Sequence, residues 1–336
     1  ISQHSLIILS ICCSVLMKAN SFFSYSKLAN CDFRDKNILS KVNTSKDTLL
    51  YSKALSSAIT LVKNTKGFLP LSSDKKYLHV AFGENDNGGH LFSKMSKYLD
   101  VDAYTDKDFA PLYLKSKYDG IVISYHGSSR SPYASNIIPK NVVEKINKIS
   151  KNNNVVLNLF LNPYSLNSFL FINNFDALLL SYQNSKVAQE QSAQAIFGGI
   201  GMSGKIPVTS NHYEINSGLK TEPIRMKYVS PEEINFRSDL LYKIDSIAEN
   251  AIAEKAIPGC QVLIAKDGDI FFNKSYGYHT YDEKIAVRNS DIYDLASITK
   301  IGATVPVLMQ MVDDGSLDLD EKLGVYMPLD SSDKKD

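Results

Sequence analysis

The chain of 336 residues has no tryptophan, no Cys-x-x-Cys pair, no His-Glu-x-x-His and no Gly-x-Ser-x-Gly. Its four cysteines, Cys12, Cys13, Cys31 and Cys260, show neither zinc-ligand spacing nor a disulfide framework, so no metal and no cofactor are expected. Without Gly-x-Ser-x-Gly there is no nucleophile elbow of the α/β-hydrolase kind. Charge of one sign is also missing. Lys plus Arg number 37 against 36 acidic residues, a net +1, which gives no field for wrapping nucleic acid. The longest apolar run, residues 6–17, is interrupted only by Ser10 and Ser14 and is too short for a stable membrane span. No repeat is present, and 17 Gly and 11 Pro in 336 residues exclude collagen-like and low-complexity classes.

What remains is a globular composition, 44% hydrophobic and 22% charged, with enough apolar surface for two cores. Residues 6–17 have the length of a signal-peptide core, although no Lys or Arg precedes them. Leu9-Ser10-Ile11-Cys12 is a faint lipoprotein box. The expected location is periplasmic or secreted, with a lipid anchor at that cysteine as a variant. A stray or buried segment is the competing reading of the run.

Leu50, Ala54, Leu55, Ala58, Ile59 and Val62 mark one face of a helix ending near Asn64. Apolar runs at 77–82, 120–125, 154–161 and 177–182 predict buried parallel strands. Helical patterns at 90–99, 139–150 and 188–197 separate them, an alternation that predicts an α/β sandwich. A polar stretch with Gly218, Pro223 and Pro231 predicts a surface linker. Ser230, Pro231 and Glu233 form a capping-box signature for a helix whose buried face would hold Leu240, Leu241, Ile244, Ile247, Ala248, Ala251 and Ile252. Asp267-Gly268 between two apolar runs predicts a hairpin. The expected division is a leader and linker at 1–45, the sandwich at 46–209, a linker at 210–235 and a truncated α+β unit at 236–336.

Ser-x-x-Lys occurs seven times, starting at Ser24, Ser72, Ser73, Ser217, Ser297, Ser331 and Ser332, so the pattern alone decides nothing. Only Ser297 follows a helix and hairpin and opens an apolar helical pattern, with Ile301, Val305, Leu308, Met309 and Val312. At i and i+3 the Lys300 amine can reach the Ser297 hydroxyl. Burial near a helix N-terminus would favour the neutral amine that a base needs. The plain alternative is an N-cap serine beside a solvated lysine. Pro306, inside the predicted helix, implies a kink or restart. Glu84, in Gly83-Glu84-Asn85-Asp86-Asn87-Gly88-Gly89 after the first parallel strand, is a sugar-contact candidate against a plain-loop reading. His126-Gly127-Ser128-Ser129 reads as a loop, and Tyr276 and Tyr278 read as packed aromatics.

Ile257-Pro258-Gly259-Cys260, Lys266-Asp267-Gly268, Gly277-Tyr278, Asp294 to Lys300 and Asp314-Gly315-Ser316-Leu317-Asp318-Leu319 resemble the start of the beta-lactamase-related serine hydrolases, the class C and penicillin-binding-protein-like family. That resemblance implies an acylated Ser297, with Lys300 as its partner. It also implies a later tyrosine of a Tyr-x-Asn-like motif and a Lys-Thr-Gly or His-x-Gly strand. Tyr326 and Lys322-Leu323-Gly324 do not supply these, so the chain is expected to be incomplete as a catalyst and poorly packed after about Asn235. Ala58 to Asn64 with Leu69-Pro70-Leu71, and Ala195-Ile196-Phe197-Gly198 leading to Ser203-Gly204-Lys205-Ile206-Pro207-Val208-Thr209, resemble the C-terminal sandwich of family 3 glycoside hydrolases. In that family the nucleophilic aspartate lies on a preceding barrel, which is too long to be expected within the residues before Leu49. The implied parent is a beta-hexosaminidase-type glycosidase fused to a beta-lactamase-like module. The implied partner is a small-molecule or a peptidoglycan- or glycan-derived substrate: an ester, amide or D-amino-acid peptide for the serine hydrolase, an N-acetylhexosamine glycan for the glycosidase parent. A non-catalytic scaffold or sugar-binding role is the remaining alternative.

Overall fold

A computed structural model describes residues 44–83, 88–105, 117–127 and 137–327; the run at 6–17, Cys12, Cys13, Cys31 and Glu84 lie outside them. The Thr44 hydroxyl accepts the Asp47 N–H at 3.2 Å, and the Asp47 carboxylate accepts the Thr44 N–H at 3.0 Å, a reciprocal cap that starts α1 (Ser45–Ala58). The helix ends six residues before the sequence pattern suggests. Ile59, Thr60 and Val62 are β-branched, and 60–62 bury on both faces, so the chain extends into β1 (Thr60–Asn64), antiparallel to the strand at Ala177–Leu180.

The predicted strands are β2 (Tyr77–Gly83), β4 (Gly120–His126), β5 (Val155–Phe160) and β6 (Ala177–Leu180), and β3 (Val101–Thr105) adds an edge. The order is β1-β6-β5-β4-β2-β3, parallel throughout except for β1. Successive residues of a central strand point to opposite cores. Val122 and Val156 join Leu55 of α1, Leu91 and Met95 of α2 (Gly89–Met95) and Ile196 and Phe197 of α4 (Lys186–Phe197). Ile121, Ile123, Val155 and Leu157 join Val143, Ile146 and Ile149 of α3 (Lys140–Ser150), with Phe169 and Phe175. The result is the α/β sandwich predicted from the alternating pattern, covered on both faces.

The face under α4 also carries polar groups. His79, Ser124 and His126 are all at most 1% exposed. Asn184 Oδ1 accepts from Gln189 Nε2 at 2.9 Å and lies 2.9 Å from His126 Nδ1, which fixes the neutral tautomer with the proton on Nδ1. His126 Nε2 then accepts the Ser124 hydroxyl proton at 2.7 Å, and Ser124 Oγ accepts from His79 Nε2 at 2.7 Å. Burial first, and the electrostatic influence of the neighbouring His126 ring second, push the His79 pKa down to about 3. His126 is thus a buried strand residue within this network.

Residues 210–229 run over the sandwich, with the Asn211 N–H bonded to the Asn167 side chain and the Leu219 N–H to the Leu61 carbonyl. Past them the capping box at Ser230 forms, but it opens only a short turn, Pro231–Ile234, ended by Asn235 at φ 62°. The helix starts later, as α5 (Tyr242–Ala253), and of its expected buried face only Ala248 is buried; Ile247 is 71% exposed. A left-handed Asn235 terminates the turn before the helical register is set. Strands β8 (Gly259–Lys266) and β9 (Asp269–Gly277) pair in the predicted hairpin, with Asp267 at φ 54° and Gly268 at φ 86°, the positive pair that a type I′ turn requires. The two residues of β7 (Lys227–Tyr228) add to β9 in parallel. No residue from 288 to 327 is buried, whereas Ala248, Ile270, Phe272 and Val287 are.

A folded-state pKa near 3 against about 6.5 in the unfolded chain means that neutral His79 stabilises the fold fully above pH 6.5. That stability is lost as the pH falls toward 3, at about 1.4 kcal/mol per pH unit. Denaturant titrations between pH 7 and 4.5 should show this slope, and His79→Gln should flatten it by about one proton. An unchanged slope would place the proton uptake elsewhere.

Candidate functional site

The segment leading to Ser297 is tied to the hairpin. The Asp291 carboxylate accepts the Arg288 N–H at 2.6 Å and lies 2.8 Å from His279 Nε2; the first of these bonds, then His279, lowers its pKa. The Gln261 side chain donates to the carbonyls of Arg288 and Asp291, the latter at 3.1 Å. Sequence reasoning missed this clamp, because its members are spread over thirty residues with no motif spacing. The hydroxyl of the half-buried Tyr276 donates to Asp245 Oδ1 at 2.6 Å. Asp245 Oδ1 also accepts from Lys274 at 2.7 Å.

Past the clamp the Asp294 carboxylate accepts the Ala296 N–H at 2.9 Å, with Ala296 in the left-handed region at φ 43°. An alanine held there stores about 1–3 kcal/mol of strain that its surroundings must offset. Successive turns follow, Thr299 N–H to Ala296 and Lys300 N–H to Ser297, and the Lys300 Nζ donates to Ser297 Oγ at 2.9 Å. The two side chains thus meet at the opening of one helix, as their spacing suggested. Both are exposed, which departs from the expected burial of the lysine: among the described residues no segment covers this turn.

Lys300–Thr304 is a π-turn, with the Val305 N–H reaching the Lys300 carbonyl, and α6 (Val305–Asp313) restarts with Pro306 in its first turn. This is the restart that an interior proline demands, since Pro306 has no N–H to give. The Tyr326 hydroxyl accepts the Asp318 N–H at 2.8 Å, and Leu323–Tyr326 form a helical turn, α7, not a strand. Neither region reproduces the later motifs of the serine hydrolases. Glu84 and Ser128-Ser129 fall outside the described residues. Among the described residues no group of three or more His, Cys, Asp or Glu is placed to hold a metal ion.

Residues 244–336 match the beta-lactamase family model. The chain is 33% identical over 91 residues to Protein flp of Staphylococcus aureus (strain NCTC 8325 / PS 47), covering 27% of this chain and 18% of that protein. It is 33% identical over 112 residues to N-acetylmuramyl-L-alanine amidase of Bacillus subtilis (strain 168), covering 31% of this chain and 25% of the amidase. The chain therefore spans a quarter or less of the length of either relative. A glycoside hydrolase family 3 beta-N-acetylglucosaminidase from Paenibacillus sp. str. FPU-7 is a structural neighbour at TM-score 0.39 and 17% identity, covering 49% of this chain and 33% of that one.

Asp294→Ala removes the acceptor for the Ala296 N–H, and Asp294→Asn keeps one. The first should raise the hydrogen-exchange rate of the Ala296 and Ser297 amides about tenfold, the worth of one hydrogen bond, and the second should leave it near wild type. Equal rates in the two variants would show that the turn holds itself.

Proposed function

We propose that the chain carries the nucleophile region of a beta-lactamase-related serine hydrolase, on residues 236–336, joined by the linker at 210–235 to the sandwich at 46–209. The observation that carries this reading is the 2.9 Å contact of Lys300 Nζ with Ser297 Oγ at a helix opening, within the matched residues. In its neutral form the Lys300 amine takes the Ser297 proton as Oγ attacks the substrate carbonyl carbon. The proton is then available to the leaving group when the carbonyl re-forms and the acyl-enzyme is left. The positive end of the helix stabilises the oxyanion in between. The substrate is an ester, amide or D-amino-acid peptide, and a peptidoglycan-derived one suits the export expected from residues 6–17. Both the partial length of the chain relative to its curated relatives and the exposure of Ser297 leave substrate selection to groups beyond this turn.

A fluorophosphonate serine probe tests the assignment. Labelling should map to Ser297, disappear in Ser297→Ala with an unchanged circular dichroism spectrum, and fall at least a hundredfold in rate in Lys300→Met, the usual worth of a general base. Labelling that survives Ser297→Ala would move the nucleophile elsewhere.

A further inference from the structure

Residues 219–230 touch both sheets. On the sandwich side the Leu219 N–H bonds the Leu61 carbonyl at 2.7 Å, and Ile224 and Arg225 donate to the Gly198 carbonyl at 2.8 and 3.0 Å. The Arg225 guanidinium reaches the Phe197 carbonyl at 2.7 Å. The Tyr228 N–H is held at 2.6 Å by the side-chain oxygen of Gln194 in α4, which also accepts from the Tyr98 hydroxyl. On the hairpin side Lys227 and Tyr228 pair with Asp269 and Ile270, and Lys227 and Asp269 are an ion pair at 3.2 Å.

One atom belongs to both contacts. The Tyr228 hydroxyl donates to the Lys97 carbonyl at 2.9 Å, beside the sandwich helices, and accepts from Asn273 of β9 at 3.1 Å. Its ring stands edge-on to Tyr98 at 5.2 Å and is 9% exposed. The turn beneath is cut to fit. A Cβ on Gly199 would lie 2.1 Å from the Tyr98 hydroxyl oxygen, and one on Gly198 would lie 2.7 Å from Ile224. The hairpin has little core of its own: Ile270 and Phe272 are its buried apolar residues, and α5 adds Ala248. A two-stranded hairpin with so little covered surface is marginal by itself.

We infer that residues 219–230 are a strap with Tyr228 as its pin, and that the hairpin sheet keeps its order only while the strap is seated on the sandwich. The sandwich then serves as the folding platform for the sheet that leads to Ser297. This coupling stands whether or not Ser297 is a nucleophile.

Hydrogen exchange of the full chain, read on peptides covering 259–277 and 155–160, tests it. Tyr228→Phe keeps the ring and loses both hydroxyl bonds, Asn273→Ala removes one of them from the other side, and Gly199→Ala pushes on Tyr98. Each should raise exchange in the hairpin about tenfold, the scale set by one or two lost hydrogen bonds, with the rate at 155–160 within twofold of wild type. Three outcomes would overturn the proposal: an unprotected hairpin in the wild-type chain, no change at the hairpin in any variant, or an equal loss of protection in both sheets.

Discussion

Strand β5, Val155-Val156-Leu157-Asn158-Leu159-Phe160, is buried at every position, and a strand of that kind has to lie in the middle of a sheet with a layer of structure against each face. Much of the front of the molecule follows from that requirement. Parallel neighbours need crossovers: α2 lies between β2 and β3 and α3 between β4 and β5, while α4, which follows β6, packs on the face opposite α3. Each apolar residue then belongs to one of two cores, which is why single-residue alternation between clusters runs along β2, β4 and β5.

Polar residues inside such a core are tolerated when they bond to one another, and here one donor, Asn158 Nδ2, is left without a partner among the described residues. Gln189, Asn184, His126, Ser124 and His79 hand one proton position to the next, so the tautomer of each histidine is dictated by an amide some distance away. Ser181, Asn158 and Ser192 extend the polar layer, with Ser181 at 2.6 Å from Asn158 Oδ1 and 2.7 Å from the Ser192 hydroxyl. The layer links β2, β4, β5, α4 and the segment just after β6 by directional bonds where dispersion alone would allow sliding. It fixes which helix lies over which strands.

The sequence made the centre of this molecule legible and its margins much less so. Buried strands announce themselves because both faces are apolar, and the hairpin did because Asp267-Gly268 has a backbone requirement of its own. Ser297 and Lys300 were readable because three residues of separation in a helix turn is a distance. β1 was hidden because Ile59 and Val62 fit a helical face as well as a strand, and only pairing with β6 decides between them. β3 has a single buried residue, Val101, so its pattern is that of a loop. At Ser230 the cap chemistry was read correctly and its extent was not, since a cap fixes where a turn begins and says nothing of Asn235 five residues on. The histidine network and the clamp around Asp291 join residues far apart in sequence, where no periodicity points.

The passage of Leu219 along β1 has a consequence for the molecule among other copies of itself. An open sheet offers unpaired amides and carbonyls at two borders, each a template for a foreign strand. At β1 the bridge between Leu61 and Leu219 occupies part of that border. At β3 the outermost strand is five residues long and carries Asp102, in an ion pair with Lys117 at 3.1 Å, so an incoming strand would meet charge in place of a flat apolar rim. Each border of the sandwich thus carries a feature that hinders edge-to-edge pairing.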